Sequence, residues 1–263
     1  MELNLNNVEF NEFQLNVNFD SSSLIGITGK ALKEVVLFFE EPKNYKGKLF
    51  IEKTLLTNYN KFLYHEKVSV IKENPVFPSY LETVIDYLLH EIKIKNIETK
   101  DDLKKINSSL KIVGLDSSYK KRSIISLSSC EKKLIQIAAN LLINPEVIIL
   151  DEPFTYFDLN HQKKIFMLLQ RMQEQYKKVI IIITDNSNYI YKYTKRAIII
   201  KNKAILLDGL TKEVYKKISY LKKKRIQIPE IVEFTNKAQK EKNVKIEYHK
   251  DIRDLIKDIY KHV

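Results

Sequence analysis

The sequence predicts an α/β fold with a mostly parallel sheet that helices cover on both faces. An apolar strand at 23–27 ends in Thr28-Gly29 and leads into a helical pattern at 30–41, a strand, turn, helix unit of the phosphate-binding kind. Two β-branched strands, at 147–150 and 179–183, are separated by a helical pattern at 161–176. Alternation of buried strands with helices is typical of a parallel sheet that is covered on both faces.

The remaining elements follow from the same two periodicities. Leu15, Val17 and Phe19 alternate with polar residues, which predicts a strand with one buried face. After Gly209, we expect Thr211 to cap one short helix. We expect further strands at 48–51, 197–200 and 204–207, the last two forming a hairpin, and helices at 81–92, 99–111, 129–142 and after Pro229.

The last predicted helix carries one apolar stripe. It is formed by Ile252, Leu255, Ile256, Ile259 and Tyr260. Such a stripe more often packs in a core or a dimer than binds a ligand. The whole pattern predicts a main domain at 1–215, with a helical subdomain at about 76–140, and a C-terminal helical extension at 216–263.

Composition indicates a globular protein, with 44% hydrophobic and 30% charged residues. The single cysteine, Cys130, excludes an intramolecular disulfide and fits a reducing cytosol. We expect no signal peptide, and the most apolar run, at 179–183, is far shorter than the ~20 residues that cross a bilayer. Net charge is +12, but the lysines are dispersed, which favours a solvated surface over a nucleic-acid site.

Five segments carry motifs whose order and spacing are informative. The segment NPEVIILDEP, at 144–153, is an apolar strand that ends in Asp151-Glu152. An acidic pair after a strand could by itself cap a helix. Whether this pair has a functional role instead therefore depends on the neighbouring segments. They are VSVIKENPVFPSYLETVIDYL at 68–88, SLSSCEKKLIQIAANLL at 126–142, FTYFDL at 154–159 and IIIITDN at 180–186.

Taken in chain order, the segments at 68–88, 126–142, 144–153, 154–159 and 180–186 resemble, respectively, the Q-loop, signature helix, Walker B strand, D-loop and switch strand of ABC ATPases. The chain is therefore similar to the ATP-binding subunit of an ABC transporter. The segment at 209–240 resembles the tail of energy-coupling-factor (ECF) ATPases, while an ATPase of another importer stays open. The resemblance implies a P-loop NTPase fold of the ABC type, which is a mixed, mainly parallel sheet with flanking helices, an inserted helical subdomain and a C-terminal extension.

The resemblance also implies roles for individual residues, with ATP and Mg²⁺ as cofactors. Asp151 would hold Mg²⁺ through water and Glu152 would polarise the attacking water. Further nucleotide-binding positions would be Thr28, Gly29, Lys30, Ala31 and Glu73, the last in place of the Q-loop glutamine. The signature and D-loop residues, which act at the site of a second subunit, would be Leu127, Ser128, Ser129, Cys130, Glu131 and Asp158.

Several positions depart from the family pattern. The phosphate loop G-x-x-x-x-G-K-[ST] is about four residues short, and Ala31 stands where a hydroxyl should bind Mg²⁺. Asp185 replaces the switch histidine, and Ser129 and Cys130 replace the signature glycines. Phe10 and Phe13 would either stack on adenine or pack in the core. We therefore expect the chain's own site not to hydrolyse ATP, while the opposite site still receives Ser128 and Asp158.

The functional hypothesis is a catalytically degenerate half of an ATPase heterodimer that powers uptake of a vitamin, metal or other small solute. Its expected partners are a second ABC ATPase subunit, a transmembrane subunit docked on residues 73–87 and a solute-specific membrane subunit. These partners would hold it at the cytoplasmic face of the membrane, with no direct nucleic-acid contact. Two alternatives stay open: a fully active ATPase that uses Lys30 and Glu152, and a non-catalytic scaffold or nucleic-acid-associated ABC protein.

Overall fold

A ten-stranded mixed sheet forms the centre of the computed structural model, which describes residues 1–95, 101–242 and 246–260. The strands are β1 (Glu2–Phe10), β2 (Phe13–Asp20), β3 (Ile25–Gly29), β4 (Lys46–Ile51), β5 (Thr54–Leu55), β6 (Val68–Ile71), β7 (Val147–Asp151), β8 (Val179–Ile183), β9 (Arg196–Lys201) and β10 (Ala204–Leu210). Their order in the sheet is β5-β4-β1-β2-β10-β9-β3-β8-β7-β6.

The helices between these strands are α1 (Leu32–Glu40), α2 (Phe62–Lys67), α3 (Val84–Ile94), α4 (Asp102–Ile112), α5 (Ser129–Ile143), α6 (Leu159–Tyr176) and α7 (Ser187–Tyr193). The helices after the last strand are α8 (Thr211–Lys216), α9 (Ile218–Lys223), α10 (Glu230–Lys242) and α11 (Ile252–Tyr260). The segment between β6 and β7 contributes no strand to the sheet within its described residues, and it contains α3, α4 and α5.

The half of the sheet from β6 to β9 is parallel and buried on both faces. Strands β6, β7, β8, β3 and β9 pair in parallel. Along β7, Ile148 and Leu150 pack into the core that includes α3 to α7, while Val147 and Ile149 pack into the core that includes α1 and the N-terminal strands. Because side chains alternate along a strand, both faces need apolar residues. The predicted doubly covered sheet is confirmed.

The N-terminal strands form an antiparallel extension of the sheet. Strands β1 and β2 are joined by Asn11 and Glu12, whose φ angles of 44° and 69° suit a two-residue hairpin turn. The rings of Phe10 and Phe13 stack with centroids 5.0 Å apart, and Phe10 stacks on Phe38 at 4.2 Å. Phe10 and Phe13 are both buried. They therefore pack in the core, which is one of the two roles expected for them.

Caps explain where two helices differ from the sequence prediction. Helix α3 was expected from residue 81 but begins at Val84, because Thr83 and Asp86 form a reciprocal capping box. Helix α4 begins after Asp101, whose carboxylate accepts a hydrogen bond from the Lys104 N–H at 3.0 Å. The first residues of the helix predicted at 99–111 lie outside the described residues.

The C-terminal helices bring two corrections. Thr211 does not cap α8 but is its first residue, and its buried hydroxyl lies 3.1 Å from that of Thr194. Pro229 does precede α10 directly, as expected. In the apolar stripe of α11, Leu255 is buried, but Ile252 and Tyr260 are exposed. Within the described ranges, no helix combines the length and the apolar character that a membrane crossing requires.

Candidate functional site

A cleft of about 490 Å³ lies at the carboxyl ends of β3, β6, β7 and β8. Ends of parallel strands meet at one edge of a sheet, where α/β proteins commonly bind ligands. The lining residues are Gly29, Lys30, Ala31, Leu32, Lys33, Glu34, Glu73, Asp151, Glu152, Thr155 and Asp185. The structure thus gathers in one place all the residues predicted for the chain's own site except Thr28, which is buried in β3 and does not line the cleft.

The turn between β3 and α1 consists of only two residues. Strand β3 ends at Gly29 and α1 begins at Leu32, so Lys30 and Ala31 make the connection. The Lys30 N–H donates a hydrogen bond to the carbonyl oxygen of Ile200 at 3.0 Å. Ala31 is left-handed, at φ 59° and ψ 40°. The Lys30 hydrogen bond and the left-handed conformation of Ala31 together explain why the helix begins at residue 32 and not at residue 30, as the sequence pattern predicted.

Both glycines of β3 are explained by packing inside the protein. A Cβ atom on Gly29, at φ 129°, would lie 1.9 Å from the carbonyl oxygen of Ile200. A Cβ atom on Gly26 would lie 2.7 Å from the Cδ1 atom of Ile190 in α7. Gly29 therefore lets β3 approach β9, and no contact with phosphate is needed to account for it.

The acidic pair after β7 is held by hydrogen bonds from within the chain. The Glu152 carboxylate accepts from the Thr184 hydroxyl at 2.6 Å and from the Asp185 N–H at 2.8 Å. The Asp151 carboxylate accepts from the Glu73 N–H at 3.3 Å. Burial raises the pKa of Asp151 and that of Glu152, whereas these hydrogen bonds act to lower both pKa values. Thr184, which sequence reasoning missed, fixes the orientation of Glu152.

Lys133 in α5 is a second residue that sequence reasoning missed. Its side chain is fully buried, and its Nζ atom donates to the carbonyl oxygen of Asp151 at 2.7 Å and to that of Lys72. Burial lowers the pKa of Lys133 to about 8, and the charges of Asp151, Glu73 and Glu152 oppose that shift. The available signal was periodicity, because Lys133 shares a helix face with the buried Ile137.

The cleft is rich in negative charge. Its carboxylates belong to Glu34, Glu73, Asp151, Glu152 and Asp185, while its ammonium groups belong to Lys30 and Lys33. In the part of the chain that the structure describes, no group of three or more acidic, histidine or cysteine side chains has an arrangement that could hold a metal ion. The cleft is therefore acidic, and its described residues do not form such a metal-binding group.

The predicted signature residues lie around the start of α5. Ser128 caps this helix: its hydroxyl accepts from the Glu131 N–H, and the Glu131 carboxylate accepts from the Ser128 N–H and hydroxyl, each at 2.8 Å. The same carboxylate accepts from the Tyr119 hydroxyl at 2.7 Å and from Arg122 at 2.6 Å. The Tyr119 hydrogen bond, with those from Ser128 and Arg122, lowers the pKa of Glu131 to about 2.

The other members of the signature differ in exposure. Leu127 is buried, Ser129 is exposed and Cys130 is half-buried. Burial raises the pKa of Cys130, and the nearby charges of Glu131 and Asp158 raise it further. The structure therefore brings the signature and the predicted D-loop residue Asp158 close together.

Asp158 caps α6 as Ser128 caps α5. Its carboxylate accepts from the His161 N–H at 2.8 Å, and this hydrogen bond lowers the pKa of Asp158. The side chain remains exposed. Ser128 and Asp158 are thus presented at two helix starts, outside the lining of the cleft.

The comparison with protein families agrees with this geometry. The family model for the ABC transporter matches residues 22–155, just over half of the chain. This chain belongs to the ABC transporter family. The matched part of this ABC protein includes the β3–α1 turn, the start of α5 and the acidic pair after β7.

Two proteins with similar sequences are named as ATP-binding proteins of energy-coupling factor transporters. This ABC protein is 25% identical to the energy-coupling factor transporter ATP-binding protein EcfA2 of Enterococcus faecalis, over 86% of this chain and 81% of that one. It is 26% identical to EcfA3 of Oenococcus oeni, over 99% and 97%. The structure of cbiO1 from Clostridium perfringens, described as part of the ABC transporter complex cbiONQ, superposes with a TM-score of 0.70 at 20% identity, over 89% and 98%. The fold and the family resemblance inferred from the motifs are confirmed.

Proposed function

We propose that this ABC protein is a subunit of an ECF transporter and the non-hydrolytic half of an ATPase heterodimer. Both sequence relatives described above are named as ATP-binding proteins of such transporters, and they match it over most of both chains. The observation that carries the non-hydrolytic part is the two-residue turn, Lys30-Ala31, between β3 and α1.

A phosphate loop works through its backbone. Successive N–H groups surround the phosphates, and a lysine and a hydroxyl at the helix start bind the outer phosphates and Mg²⁺. Here the Lys30 N–H is already bonded to Ile200, and Ala31 offers no hydroxyl. The turn therefore lacks both the donors and the length to wrap a triphosphate. The residues present do not fit Mg-ATP bound in the family's manner, although Asp151 and Glu152 keep their positions.

Charge acts in the same direction. Asp185 stands where the family has a histidine that donates to the terminal phosphate, and the loss of one such donor costs ~10²- to 10³-fold in rate. The five carboxylates of the cleft outnumber its two lysines, so a triphosphate would also be repelled. We infer that hydrolysis at this cleft is lost and that nucleotide affinity is low.

The opposite site of the heterodimer needs other residues of this chain. In the family, each site joins the phosphate loop and Walker B strand of one subunit to the signature and D-loop of the other. Ser128 and Asp158, both exposed at helix starts, are available for this role. ATP and Mg²⁺ would then be bound by the second ATPase subunit, with Ser128 contacting the nucleotide from across the interface.

The remaining assignments follow from the ECF proposal. A transmembrane subunit would dock on residues 73–87, where Val76 and Tyr80 are exposed, and a solute-specific membrane subunit would complete the complex. The chain would lie at the cytoplasmic face of the membrane, held by these partners. The division into an ATPase domain at 1–215, with its helical subdomain at about 76–140, and an extension at 216–263 is part of the same proposal.

The test is to measure Mg-ATP binding and phosphate release for the purified chain and for the complex that it forms with its ATPase partner. We expect no turnover from the chain alone and turnover from the complex. Ser128→Arg should abolish the activity of the complex, because the long side chain would block the nucleotide of the opposite site. Ser108→Arg, at an exposed position of α4, is the matched control and should leave the activity unchanged.

Two results would contradict the proposal. Turnover by the chain alone that disappears in both Lys30→Ala and Glu152→Gln would make it a fully active ATPase. Binding to RNA or DNA that weakens steeply with salt, in the absence of any ATPase complex, would instead favour the nucleic-acid-associated alternative.

A further inference from the structure

A groove of about 420 Å³ lies apart from the acidic cleft, between the end of α4 and one face of α6. Residues 111–114 form one wall, and residues of α6 from His161 to Arg171 form the other. We call it the α4–α6 groove. It shares no lining residue with the acidic cleft and includes no residue of the signature or of the segment at 73–87. The function proposed above therefore leaves this groove unexplained.

The α6 wall of the groove is a single helical face. His161, Lys164, Leu168 and Arg171 follow one another at intervals of three and four residues, which places them on one side of an α-helix. This face is about 15 Å long, since each helical residue adds ~1.5 Å. On the other wall, Gly114 ends α4 at a φ of 89°, and a Cβ atom there would meet no atom within 4 Å. The groove is thus open and has the length of about three helical turns.

Apolar side chains lie between the basic ones along the α4–α6 groove. Val113 and Ile165 are buried, whereas Ile112 on one wall and Met167 on the other are 56% and 55% exposed. Apolar surface that is exposed as a group marks interaction sites more often than single exposed residues do. A methionine also adapts its shape to the surface that covers it. The groove therefore offers an apolar strip to a ligand with an apolar side.

The fully charged side chains of the groove are all basic. They belong to Lys111, Lys164 and Arg171, which are exposed. Within the residues that the structure describes, none of these three side chains forms a hydrogen bond or an ion pair within 4.0 Å. Three cations thus surround an apolar strip, and no carboxylate of the described chain is bound to them.

The acidic residues at the two ends of α6 are engaged with other side chains. The carboxylate of Asp158 lies 3.0 Å from the Nδ1 atom of His161. The carboxylate of Glu174 accepts a hydrogen bond from the Gln170 amide at 2.9 Å. A ligand that fills the α4–α6 groove must therefore bring its own negative charge.

We propose that the α4–α6 groove binds an acidic amphipathic helix of a partner protein. The apolar side of that helix covers Ile112 and Met167, and its carboxylates pair with Lys111, Lys164 and Arg171. A flat lipid surface does not enter a concave groove, and a nucleic-acid backbone has no apolar side to cover the exposed strip. The shape and the charge together thus favour a helical peptide. This inference goes beyond the proposed function and does not depend on whether the acidic cleft hydrolyses ATP.

The test measures the binding of a designed peptide to the full chain. The probe is a fluorescein-labelled peptide of about 15 residues, long enough to span the groove, with leucine on one helical face and glutamate on the other. Fluorescence anisotropy should show saturable binding with a Kd below about 100 μM at low salt, and weaker binding as salt is raised. The same peptide with lysine in place of glutamate should bind at least ~10-fold more weakly, because like charges repel across an interface.

Matched variants show whether the peptide occupies the groove. Lys164→Glu combined with Arg171→Glu should weaken binding of the acidic peptide at least ~10-fold. Lys105→Glu combined with Lys163→Glu changes the net charge equally at exposed positions of α4 and α6 outside the groove, and it should weaken binding less than ~3-fold. Ile112→Ser leaves the charge unchanged and should weaken binding at least ~3-fold, because it removes apolar contact.

The fold of each variant is checked by thermal unfolding, and Lys164→Glu alone replaces the double variant if that variant does not fold. Equal affinity of the peptide for the wild type and for the Lys164 variant would overturn the proposal, as would the absence of binding at ~1 mM peptide. Vesicles of phosphatidylserine and phosphatidylcholine that displace the peptide would assign the groove to a lipid surface instead. A dimer of the chain that the same variant dissociates, seen by light scattering, would assign it to a second copy. Both results would also overturn the proposal, and neither requires nucleotide, so they are scored separately from Mg-ATP turnover.

Discussion

The acidic cleft and the signature surface of this ABC protein differ in the kind of change that each has undergone. In the cleft the backbone itself departs from the family pattern, because only two residues connect β3 to α1. At the signature surface, defined by Ser128, Glu131 and Asp158, the expected departures are substitutions, Ser129 and Cys130 in place of two glycines, and helices α5 and α6 each begin after a capping residue.

The difference shows what each region must preserve. A phosphate loop depends on backbone donors that a two-residue turn cannot supply. A signature that acts on a neighbouring subunit depends on where the helix begins, and a cap fixes that point. Under the proposed function, this chain would contribute to the opposite site while its own cleft would not hydrolyse ATP.

The largest effect that we expect comes from Gly29→Ala. The new methyl group would lie 1.9 Å from the carbonyl oxygen of Ile200, and φ is 129°, so the β3–β9 pairing must open. Chemical denaturation should show a loss of about 3 to 5 kcal/mol, or the variant should not fold.

Gly209→Ala is the matched control for this substitution. Its methyl group would meet Val214 at an ordinary 3.7 Å, and we expect a loss below ~1 kcal/mol. Equal stability of the Gly29→Ala variant and the wild type would refute the packing explanation. It would also restore the view that this glycine is kept for phosphate.

A smaller effect is expected from Glu131→Gln on the signature surface. The variant keeps the shape of the capping box but loses the charge that Arg122 and Tyr119 hold. The folded-state pKa of Glu131 is lowered to about 2, so its contribution is complete above its unfolded pKa of 4.5 and is lost as pH falls towards 2. We expect a loss of about 1 kcal/mol at pH 7, from urea denaturation.

The pH dependence distinguishes this explanation from a packing defect. The stability gap between wild type and Glu131→Gln should narrow between about pH 4.5 and 2, because protonation removes the same charge from the wild type. A gap that stays constant with pH would contradict the prediction. Glu213→Gln, which breaks an exposed pair with Lys216, is the control and should change stability by less than ~0.5 kcal/mol.

The sequence could predict the elements that local patterns determine. The strand at Val179–Ile183 has the predicted bounds, because a short run of β-branched residues strongly favours a buried strand. The cap at Thr83 moved the start of α3, and a capping box with Asp in place of Glu is a weaker signal in the sequence. The pairing of β4 with β1 in the antiparallel extension joins segments distant in the chain, and periodicity cannot reveal such pairing.

The sequence could predict those residues of the site that belong to a recognisable motif. Motif order located Asp151, Glu152 and Asp185, and strand topology then brought them to one edge of the sheet. Motif order could not locate Lys133 or Thr184, because their roles arise from contacts with residues distant in the chain. A buried lysine looks like any surface lysine until its helix is placed against the sheet.

The third prediction concerns strain in the short turn. Ala31 adopts a left-handed conformation that costs a residue with a side chain about 1 kcal/mol relative to glycine. Ala31→Gly should therefore stabilise the protein by up to ~0.5 kcal/mol, after the added entropy of the unfolded chain is subtracted. Ala238→Gly, within α10, should instead destabilise it by about 1 kcal/mol in the same urea titration. Destabilisation by Ala31→Gly would show that the turn is not strained.

The smallest effect should come from restoring the family's side chains in the cleft. The double variant Ala31→Ser with Asp185→His returns a hydroxyl and an imidazole, but it adds no backbone donors and leaves the Lys30 N–H bonded to Ile200. We expect Mg-ATP binding by calorimetry and phosphate release by the chain alone to match the wild type. Turnover of the complex should also be unchanged, since under the proposed function the opposite site would use Ser128 and Asp158. A clear gain of activity by the chain alone would mean that two side chains, and not the shortened turn, separate this cleft from a hydrolytic one.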